Sequence, residues 1–376
     1  MSPSSTSSSE PLVDGGVETE HEAPPPVVGD APADDHGGHQ VRPVTHRRTR
    51  AVVLWSVGCA VVLFLVAELI VRALAPLPAN RTWPDEESQF KAEHAASVQA
   101  AGGSEPLIFA GSSVSDAAFD PEVVTEAAGL DVDAFNYAQE GSLSSTTADF
   151  LDAAVVDQVD PDVVVLGVFP GDIGASPTHA ASLGDELARS RGYRLAAGKP
   201  TLQDRIDDAA SKRSAVVAHR EILRDPWRLA QWLRKPTTPS VLDPDTGALL
   251  RHRDATLDRS VQVEDDDTGA PIAPEVAAIE QLAEDLAARG TRLVVVELPV
   301  RASAPGAPDA KARRVTHEAM VGVEEAGCAE RLDLRDLVQD DRYWSDASHV
   351  NGAGTQEISE AVGAWLAENP DSPEGC

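Results

Sequence analysis

The sequence has few cysteine, methionine and aromatic residues, and each scarcity excludes something. Three cysteines occur, with no Cys-x-x-Cys pair and no Cys/His cluster, so we expect no structural zinc site and no other bound metal. Methionine occurs twice, and aromatic residues make up only 4% of the chain. The core must therefore be built from Val, Leu, Ala and Ile.

Basic residues are scarce relative to acidic ones. The chain has 31 Lys and Arg against 62 Asp and Glu, which gives a formal net charge of -31, and most of that charge lies beyond residue 50. Such a surface repels a phosphate backbone, so we expect no nucleic-acid partner. A solvated acidic surface is the simplest interpretation.

The three cysteines leave one pairing open. Cys59 lies within an apolar run, whereas Cys328 and Cys376 lie in the distal part of the chain. If that part is outside the cytoplasm, Cys328 and Cys376 can form one disulfide that ties down the C-terminus. Two free thiols are the alternative.

The chain contains one long apolar run. Residues 1–48 are rich in Ser, Pro, Gly, His and acidic residues, which predicts a disordered tail. Residues 51–74 are mostly apolar and long enough to cross a bilayer as a helix. Arg47, Arg48 and Arg50 precede the run and predict a cytoplasmic tail, hence a single-pass cell-membrane protein with an extracytoplasmic remainder. A cleaved signal peptide competes with this interpretation, but the run begins too far from the N-terminus.

Beyond the apolar run, the chain divides into a linker and one domain. Residues 75–104 contain three prolines and a polar stretch, and we interpret them as a linker. Residues 105–369 show alternating strand and helix patterns. Residues 175–272 interrupt those patterns and predict a partly helical insertion. This insertion is either a lid that shapes a substrate site or a surface addition with no part in binding.

Short apolar strands alternate with amphipathic helices in the domain. The predicted strands are 107–110, 134–137, 162–168, 292–298 and 331–334. The predicted helices are 121–128, 144–159, 275–289, 310–326 and 356–366. Strands separated by helices require a parallel sheet covered on both faces. We therefore predict a three-layer α/β/α fold with its site at the carboxyl ends of the strands.

Two short segments carry residues suited to acyl transfer. Asp346 stands three residues before His349, on a short loop that leads into a helix. A carboxylate at this spacing can orient one imidazole nitrogen and leave the other to act as a base. Ser112 and Ser113 follow Gly111 after the first strand, at a sharp turn that exposes a hydroxyl. Each segment alone is weak evidence, because turns are rich in glycine and serine, but together they suggest a Ser-His-Asp triad.

These segments resemble the ordered sequence blocks of SGNH (GDSL-like) hydrolases. The matching positions are Gly111-Ser112-Ser113, Gly141, Gly167 and Asp346-x-x-His349-x-Asn351-x-x-Gly354. Gly-Ser-Ser in place of Gly-Asp-Ser resembles the membrane-anchored branch of cell-envelope acyl transfer, which includes alginate-type O-acetylation proteins and the D-alanyl-transfer protein of teichoic acid synthesis. The resemblance covers residues 106–172 and 275–367 and implies an SGNH or flavodoxin-like arrangement.

The resemblance implies a role for each matching residue. Ser113 corresponds to the nucleophile, His349 to the base and Asp346 to the acid. The N–H groups of Ser113 and Gly141 correspond to the donors that hold the oxyanion. The sequence departs from the family pattern after the third strand, where residues 167–172 contain no asparagine to complete the oxyanion hole.

Four polar residues near these blocks have secondary roles in this interpretation. Ser112 is the fallback nucleophile, and Ser112, Asp172 and Asn351 are candidate substrate contacts. An ionised Asp172 cannot replace a hydrogen-bond donor, because a carboxylate only accepts. Asn136 is a candidate replacement donor, although its place in the sequence favours a role in the second strand.

The resemblance implies a serine esterase or O-acyltransferase that acts on cell-envelope glycans without a metal or nucleotide cofactor. Its partners would be an acylated glycan or an acyl donor protein. Two other classes stay open. One is a degenerate protein of the same fold that binds a glycan or an envelope-assembly partner. The other is a structural assembly protein that recruits partners through its tail and membrane helix.

Overall fold

The computed structural model describes residues 46–73, 84–174, 191–224, 227, 229–230, 243, 245–248, 252–257, 273–304 and 307–370. The strands are β1 (Leu107–Ala110), β2 (Ala134–Asn136), β3 (Val163–Val168), β4 (Arg292–Glu297) and β5 (Glu330–Asp333). The helices are α1 (His46–Ala73), α2 (Pro84–Ala101), α3 (Ser113–Ala118), α4 (Pro121–Ala128), α5 (Ser144–Ala154), α6 (Val156–Val159), α7 (Pro170–Ile173), α8 (Arg191–Ala196), α9 (Leu202–Ser211), α10 (Ala215–Ala218), α11 (Arg220–Arg224), α12 (Ala273–Arg289), α13 (Ala310–Glu325) and α14 (Gly352–Glu368). A short 3-10 helix covers Asp341–Tyr343.

The five strands form one parallel sheet in the order β2-β1-β3-β4-β5. The chain steps from β1 outward to β2 and then returns to the other side of β1 with β3. In an open parallel sheet, the loops at such a reversal diverge and leave a crevice at the carboxyl edge. The predicted parallel sheet is therefore confirmed, and Ser112 and Ser113 follow one of the two strands that flank the crevice.

Helices cover both faces of the sheet. Ile108 and Ala110 of β1 pack in one core with α2, α5, α12 and α13, whereas Leu107 and Phe109 pack in another with α3, α4 and α14. This alternation follows from the two-residue period of a strand. The central strands β3 and β4 are buried on both faces, as their β-branched runs predict. The three-layer α/β/α fold is confirmed.

The strands and helices of the sheet domain lie close to their predicted positions. Each strand ends within one residue of the prediction, and α4 matches it at both ends. The predicted helix 144–159 is divided into α5 and α6 at Val155, whose backbone is not helical. α14 begins four residues before the predicted helix 356–366, because Asn351 caps it earlier.

Helix α1 contains one stretch that is long and apolar enough to cross a membrane. Ala51–Ala73 has 23 residues with a mean hydropathy of 2.4, and at 1.5 Å per residue it is about 34 Å long. Its apolar side chains are exposed, including Trp55 and Leu63. Near its end, Glu68 accepts a hydrogen bond from Arg72 at 2.8 Å. Within the described residues, the chain divides into two compact units between Cys59 and Ala60 of this helix.

The segment predicted as a linker contains α2, which packs on the sheet domain. Ala92 and Ala95 of α2 are buried in the core that includes Phe135, and the His94 ring stacks on that phenylalanine with centroids 3.7 Å apart. Residues 75–83 of the predicted linker lie outside the described residues, as do residue 74 and the tail up to residue 45.

The described part of the insertion is partly helical, as predicted. α8, α9, α10 and α11 fall between residues 191 and 224, and 175–190 and 258–272 lie outside the described residues. Ser214 caps α10, and Glu68 accepts hydrogen bonds from the Ser214 hydroxyl and the Ala215 N–H, both at 2.8 Å. The insertion thus contacts the end of α1.

The cysteines differ in state. Cys59 is free and exposed on α1, whereas Cys328 is disulfide-bonded. The predicted partner, Cys376, lies outside the described residues.

Candidate active site

The turn after β1 presents Ser113 at the first position of α3. Gly111 has a φ of +134°, and a Cβ there would lie 2.7 Å from Gly167 O, so only glycine fits this backbone. Ser112 caps α3, because its Oγ accepts the Val114 N–H at 3.3 Å. Ser112 is buried, whereas Ser113 is half-buried. Ser113 is therefore the more accessible of the two predicted serines.

His349 connects Ser113 to Asp346. Its Nε2 lies 3.0 Å from Ser113 Oγ, and its Nδ1 lies 3.0 Å and 3.1 Å from the two carboxylate oxygens of Asp346. An ionised carboxylate only accepts hydrogen bonds. The hydrogen-bond network therefore assigns the ring proton to Nδ1 and leaves Nε2 to accept the serine hydroxyl. The fold brings this serine and histidine together from positions 236 residues apart.

The Asp346 carboxylate is held by the backbone of its own loop. Oδ1 accepts the N–H groups of Ser348 and His349 at 2.9 and 2.8 Å, and a bridge between Trp344 and Val350 closes the loop. Burial alone would raise the pKa of Asp346, but the hydrogen bonds and charge of His349 hold that pKa well below its ordinary value. Asp346 is therefore ionised at neutral pH and suited to stabilise an imidazolium.

Asn351 fixes the start of α14. Its Oδ1 accepts the N–H groups of Ala353 and Gly354 at 3.0 and 3.3 Å, and its Nδ2 donates to Arg342 O at 2.8 Å. A Cβ at Gly354 would lie 2.7 Å from Val350 Cβ, so the first turn of α14 packs tightly on the loop. Both ends of the Asn351 amide are used by the backbone, and its contact with substrate stays a prediction.

Hydrogen bonds between α14 and α3 keep the two halves of the site in register. Thr355 Oγ1 donates to Ala117 O at 2.8 Å, and Ser359 Oγ donates to Ala118 O at 3.3 Å. Helix α3 begins with Ser113, and α14 follows His349 by three residues. The contact between serine and histidine therefore depends on the packing of these two helices.

The loop after β2 places Gly141 near the same turn. The Gln139 N–H and the Ser142 hydroxyl both donate to Gly111 O, at 2.8 and 3.1 Å. Gly141 is exposed and has a φ of +73°. Among the described residues, the N–H groups of Ser113 and Gly141 meet no acceptor. Both donors are therefore available to an oxyanion.

Helix α2 holds this loop through a buried cluster of charges. Lys91 is fully buried, and its Nζ lies 2.9 Å from Glu87 Oε1 and 3.2 Å from Asp116 Oδ2, and also donates to Ala138 O. Glu87 Oε2 accepts the Glu140 N–H at 2.9 Å. Burial raises the pKa of Asp116 well above its ordinary value despite the attraction of Lys91. The sequence offered no signal for this cluster, because α2 is polar and follows prolines.

Asn136 is committed to the structure around β2. Its Nδ2 donates to Phe119 O at 3.1 Å, and its Oδ1 accepts the Ala138 N–H at 3.0 Å. The side chain is completely buried. These contacts favour the predicted role in the strand over the role of replacement donor.

A buried carboxyl group follows β3, in the block where the family pattern has an asparagine. Asp172 Oδ2 accepts the Phe169 N–H at 2.8 Å, and the carboxylate also bonds to the Ser112 hydroxyl. Burial and, to a smaller extent, the charge of Glu275 raise the pKa of Asp172 to about 7 against the effect of these two hydrogen bonds. Near neutral pH, Asp172 is therefore divided between its ionised and neutral forms.

The insertion contributes a histidine that the sequence analysis did not single out. The ring of His252 stacks on His349, with centroids 4.3 Å apart and an angle of 10° between the planes. Scattered histidines in polar segments carry no local signal of function. Only the fold shows that this one reaches the predicted base.

Two clusters within the described residues bring potential metal ligands together. They are His252, Asp346 and His349, and Glu297, His317 and Asp333, each with ligand atoms within 4.8 Å of one another. In the first cluster, the Asp346 and His349 atoms are already hydrogen-bonded to each other. In the second, Glu297 is paired with Arg331 at 2.8 Å.

A cavity of about 210 Å³ opens at the carboxyl ends of β3 and β4. Its walls include Val168, Pro170, Leu298, Thr316 and Gln339. It lies at the same edge of the sheet as Ser113, although Ser113, His349 and Asp346 do not line it.

No protein-family model and no curated protein matches the sequence. Two solved structures are similar to this chain at 11% identity. A candidate acylhydrolase from Bacteroides fragilis gives a TM-score of 0.37 and covers 74% of this chain and 96% of its own. A GDSL-like lipase from Bacteroides thetaiotaomicron gives 0.36, with 75% and 100% covered. Similarity at this level assigns no family.

Proposed function

We propose that this protein is a membrane-anchored, extracytoplasmic serine esterase or O-acyltransferase. The observation that carries the proposal is the hydrogen-bonded chain from Ser113 through His349 to Asp346, with 3.0 Å at each link. In this chain the acid is ionised, the base is oriented and the hydroxyl is half-buried. These are the features that activate a serine for attack on a carbonyl.

The reaction proceeds through an acyl-enzyme. His349 Nε2 takes the Ser113 proton while Oγ attacks the ester carbonyl, and Asp346 stabilises the imidazolium that forms. Collapse of the tetrahedral intermediate breaks the ester bond, and His349 returns the proton to the departing alcohol. A water or a glycan hydroxyl then loses its proton to His349 and takes the acyl group from Ser113, and His349 returns that proton to Ser113 Oγ as the acyl bond breaks.

Two backbone donors serve the oxyanion in this mechanism. They are the N–H groups of Ser113 and Gly141. The loop that contains Gly141 is held against the turn that contains Ser113, because the Gln139 N–H and the Ser142 hydroxyl both donate to Gly111 O. The missing asparagine would remove a donor worth about 2.7–4 kcal/mol of transition-state stabilisation in other serine enzymes. We therefore expect a slower enzyme than one with three donors.

Two further features support the location and the substrate class. The apolar stretch 51–73 of α1, preceded by arginines, supports a single membrane span with the domain outside. The resemblance to envelope acyl-transfer proteins supports an acylated cell-envelope glycan or an acyl donor protein as partner.

A degenerate, glycan-binding protein of the same fold is the second candidate. It is favoured by Asp172, a buried carboxyl group that is tied to Phe169 and Ser112 in the block where a third oxyanion donor is expected.

A fluorophosphonate probe separates the two candidates. We expect it to label wild-type protein at Ser113, Ser113→Ala to lose the label, and Ser112→Ala to keep it, because Ser112 is the helix cap. Peptide mass spectrometry identifies the labelled residue. Wild-type protein that is folded but takes no label would contradict catalysis and support the binding protein.

A further inference from the structure

Residues 246–248 of the insertion are seated on the sheet domain beside β2. Thr246 O accepts the Asn136 N–H at 2.8 Å, and Ala248 is buried. Gly247 has a φ of +69°, and a Cβ there would lie 2.6 Å from Asn136 O and would overlap the Phe135 ring. No larger residue fits, so residues 246–248 are tightly packed beside β2.

Arg253, in the next described part of the insertion, contacts the start of α14 and Asp120, the residue before α4. Arg253 O accepts the Gly352 N–H at 2.9 Å, and a Cβ at Gly352 would lie 2.7 Å from that oxygen. Arg253 Nη2 lies 2.8 Å from Asp120 Oδ2, and the two side chains form an ion pair. The backbone next to His252 is thereby attached to the start of α14, three residues after His349.

His252 has a fixed orientation at this position. The Ser345 hydroxyl donates to His349 O at 3.1 Å, so Ser345 Oγ accepts from Nδ1 of His252 at 2.8 Å. The hydrogen-bond network therefore assigns a proton to Nδ1 of His252. That nitrogen also lies 3.9 Å from Asp346 Oδ2. One hydrogen bond thus sets the plane of a ring that lies parallel to His349.

We propose that His252 is a positioning residue for His349, which makes this residue of the insertion part of the active site. The hydrogen bonds of Asp346 fix one edge of the His349 ring, but rotation about the bond to an imidazole is soft. A parallel ring at 4.3 Å blocks that rotation and keeps Nε2 directed at Ser113. This inference rests on the proposed function.

Three substitutions in the full-length protein separate the stacking from the hydrogen bond. His252→Ala removes both, His252→Phe keeps a ring to stack, and His252→Asn keeps a donor for Ser345. We expect His252→Ala to lower kcat on an activated acetyl ester, and the rate of fluorophosphonate labelling, by at least about tenfold. KM should change by less than about threefold, and His252→Phe should recover most of the loss.

Two results would overturn the proposal. One is His252→Ala with wild-type kcat and labelling rate. The other is an equal loss of kcat in His252→Ala and His252→Phe that is accompanied by a proportionate fall in Tm, because this result indicates a purely structural role. Lys212→Met, a change at an exposed ion pair in the same insertion, is the matched control and should keep wild-type kinetics.

A readout without turnover keeps the two proposals distinguishable. In protein labelled with ¹⁵N-histidine, wild-type His349 should show one tautomer with its proton on Nδ1, assigned from the spectrum of His349→Gln. His252→Ala should average the two nitrogen shifts. If wild-type Ser113 is never labelled but this averaging occurs, the positioning role stands and the catalytic role fails. If the single tautomer persists in His252→Ala, the positioning role fails whatever the activity.

Discussion

Asp346 and Asp172 lie at the same edge of the sheet and are buried to a similar extent, 8% and 7% exposed, yet their pKa values move in opposite directions. Asp346 accepts two backbone N–H groups from its own loop and faces His349. Asp172 has one backbone donor and the Ser112 hydroxyl, and it lies near the negative charge of Glu275. Burial alone thus does not decide whether a carboxyl group is ionised; the number of donors and the sign of the nearest charge do.

The largest expected effect comes from removing the charge at Asp346. Asp346→Asn keeps the shape but can donate to Nδ1 of His349, which favours the wrong tautomer. We expect kcat for an activated acetyl ester to fall by about 10⁴-fold. Asp172→Asn is the matched control and should keep kcat within about tenfold. Equal losses in the two variants would mean that the carboxyl groups do not have separate roles.

The second prediction concerns stability against pH. The pKa of Asp172 is about 7 in the folded state, and its ordinary value is 3.8. Between pH 3.8 and pH 7, Asp172 therefore holds a proton in the folded state that it has lost in the unfolded state. The free energy of unfolding of the wild type should therefore fall as pH rises from 4 to 7, by up to about 4 kcal/mol from this group.

Asp172→Asn should remove most of that decline, which denaturant titrations at pH 5 and pH 8 will measure. Asp346→Asn should instead change the free energy of unfolding at acidic pH. The lowered pKa of Asp346 stabilises the folded protein at pH values above the ordinary pKa of an aspartate, and this stabilisation is lost in acid. The comparison fails if both variants alter the same side of the pH profile.

A third buried carboxyl group, Asp116, tests the effect of a cationic partner. Lys91→Met leaves Asp116 and Glu87 facing each other without their shared cation. We expect a loss of at least about 3 kcal/mol in the free energy of unfolding. Lys212→Met, at an ion pair that is exposed to solvent, should cost less than about 1 kcal/mol. A loss at Lys91 no greater than at Lys212 would contradict the buried cluster.

The smallest effect is expected at Ser112. Ser112→Ala removes the cap of α3 and the hydroxyl that lowers the pKa of Asp172. We expect a loss of about 1 kcal/mol in the free energy of unfolding. The stability decline caused by Asp172 should also move to higher pH. Ser97→Ala, at an exposed position of α2, is the control and should change neither quantity.

Local sequence signals were sufficient wherever the determining contacts are local. The loop from Asp346 to Asn351 is closed by its own backbone, and its carboxylate meets N–H groups two and three residues away. The β-branched runs of β3 and β4 similarly determine buried strands. Such features follow from a few neighbouring residues, so their positions could be predicted closely.

Local sequence patterns did not predict the role of a residue whose partner is remote in sequence. Lys91 meets Asp116 across 25 residues, and His252 meets Ser345 across 93. A polar helix after prolines is typical of a linker, and a histidine in a polar insertion is typical of solvent exposure. Neither pattern contains the partner that gives the residue its role.

The sequence by itself determined the strands, the helices and the two segments that carry the serine and the acid-histidine pair, because these depend on short-range periodicity and turn chemistry. Only the tertiary structure decided that Ser113 rather than Ser112 meets His349, that Asp172 is buried with a raised pKa, and that α2 and His252 support the site. Those outcomes depend on burial and on contacts between distant segments, which residue order alone does not specify.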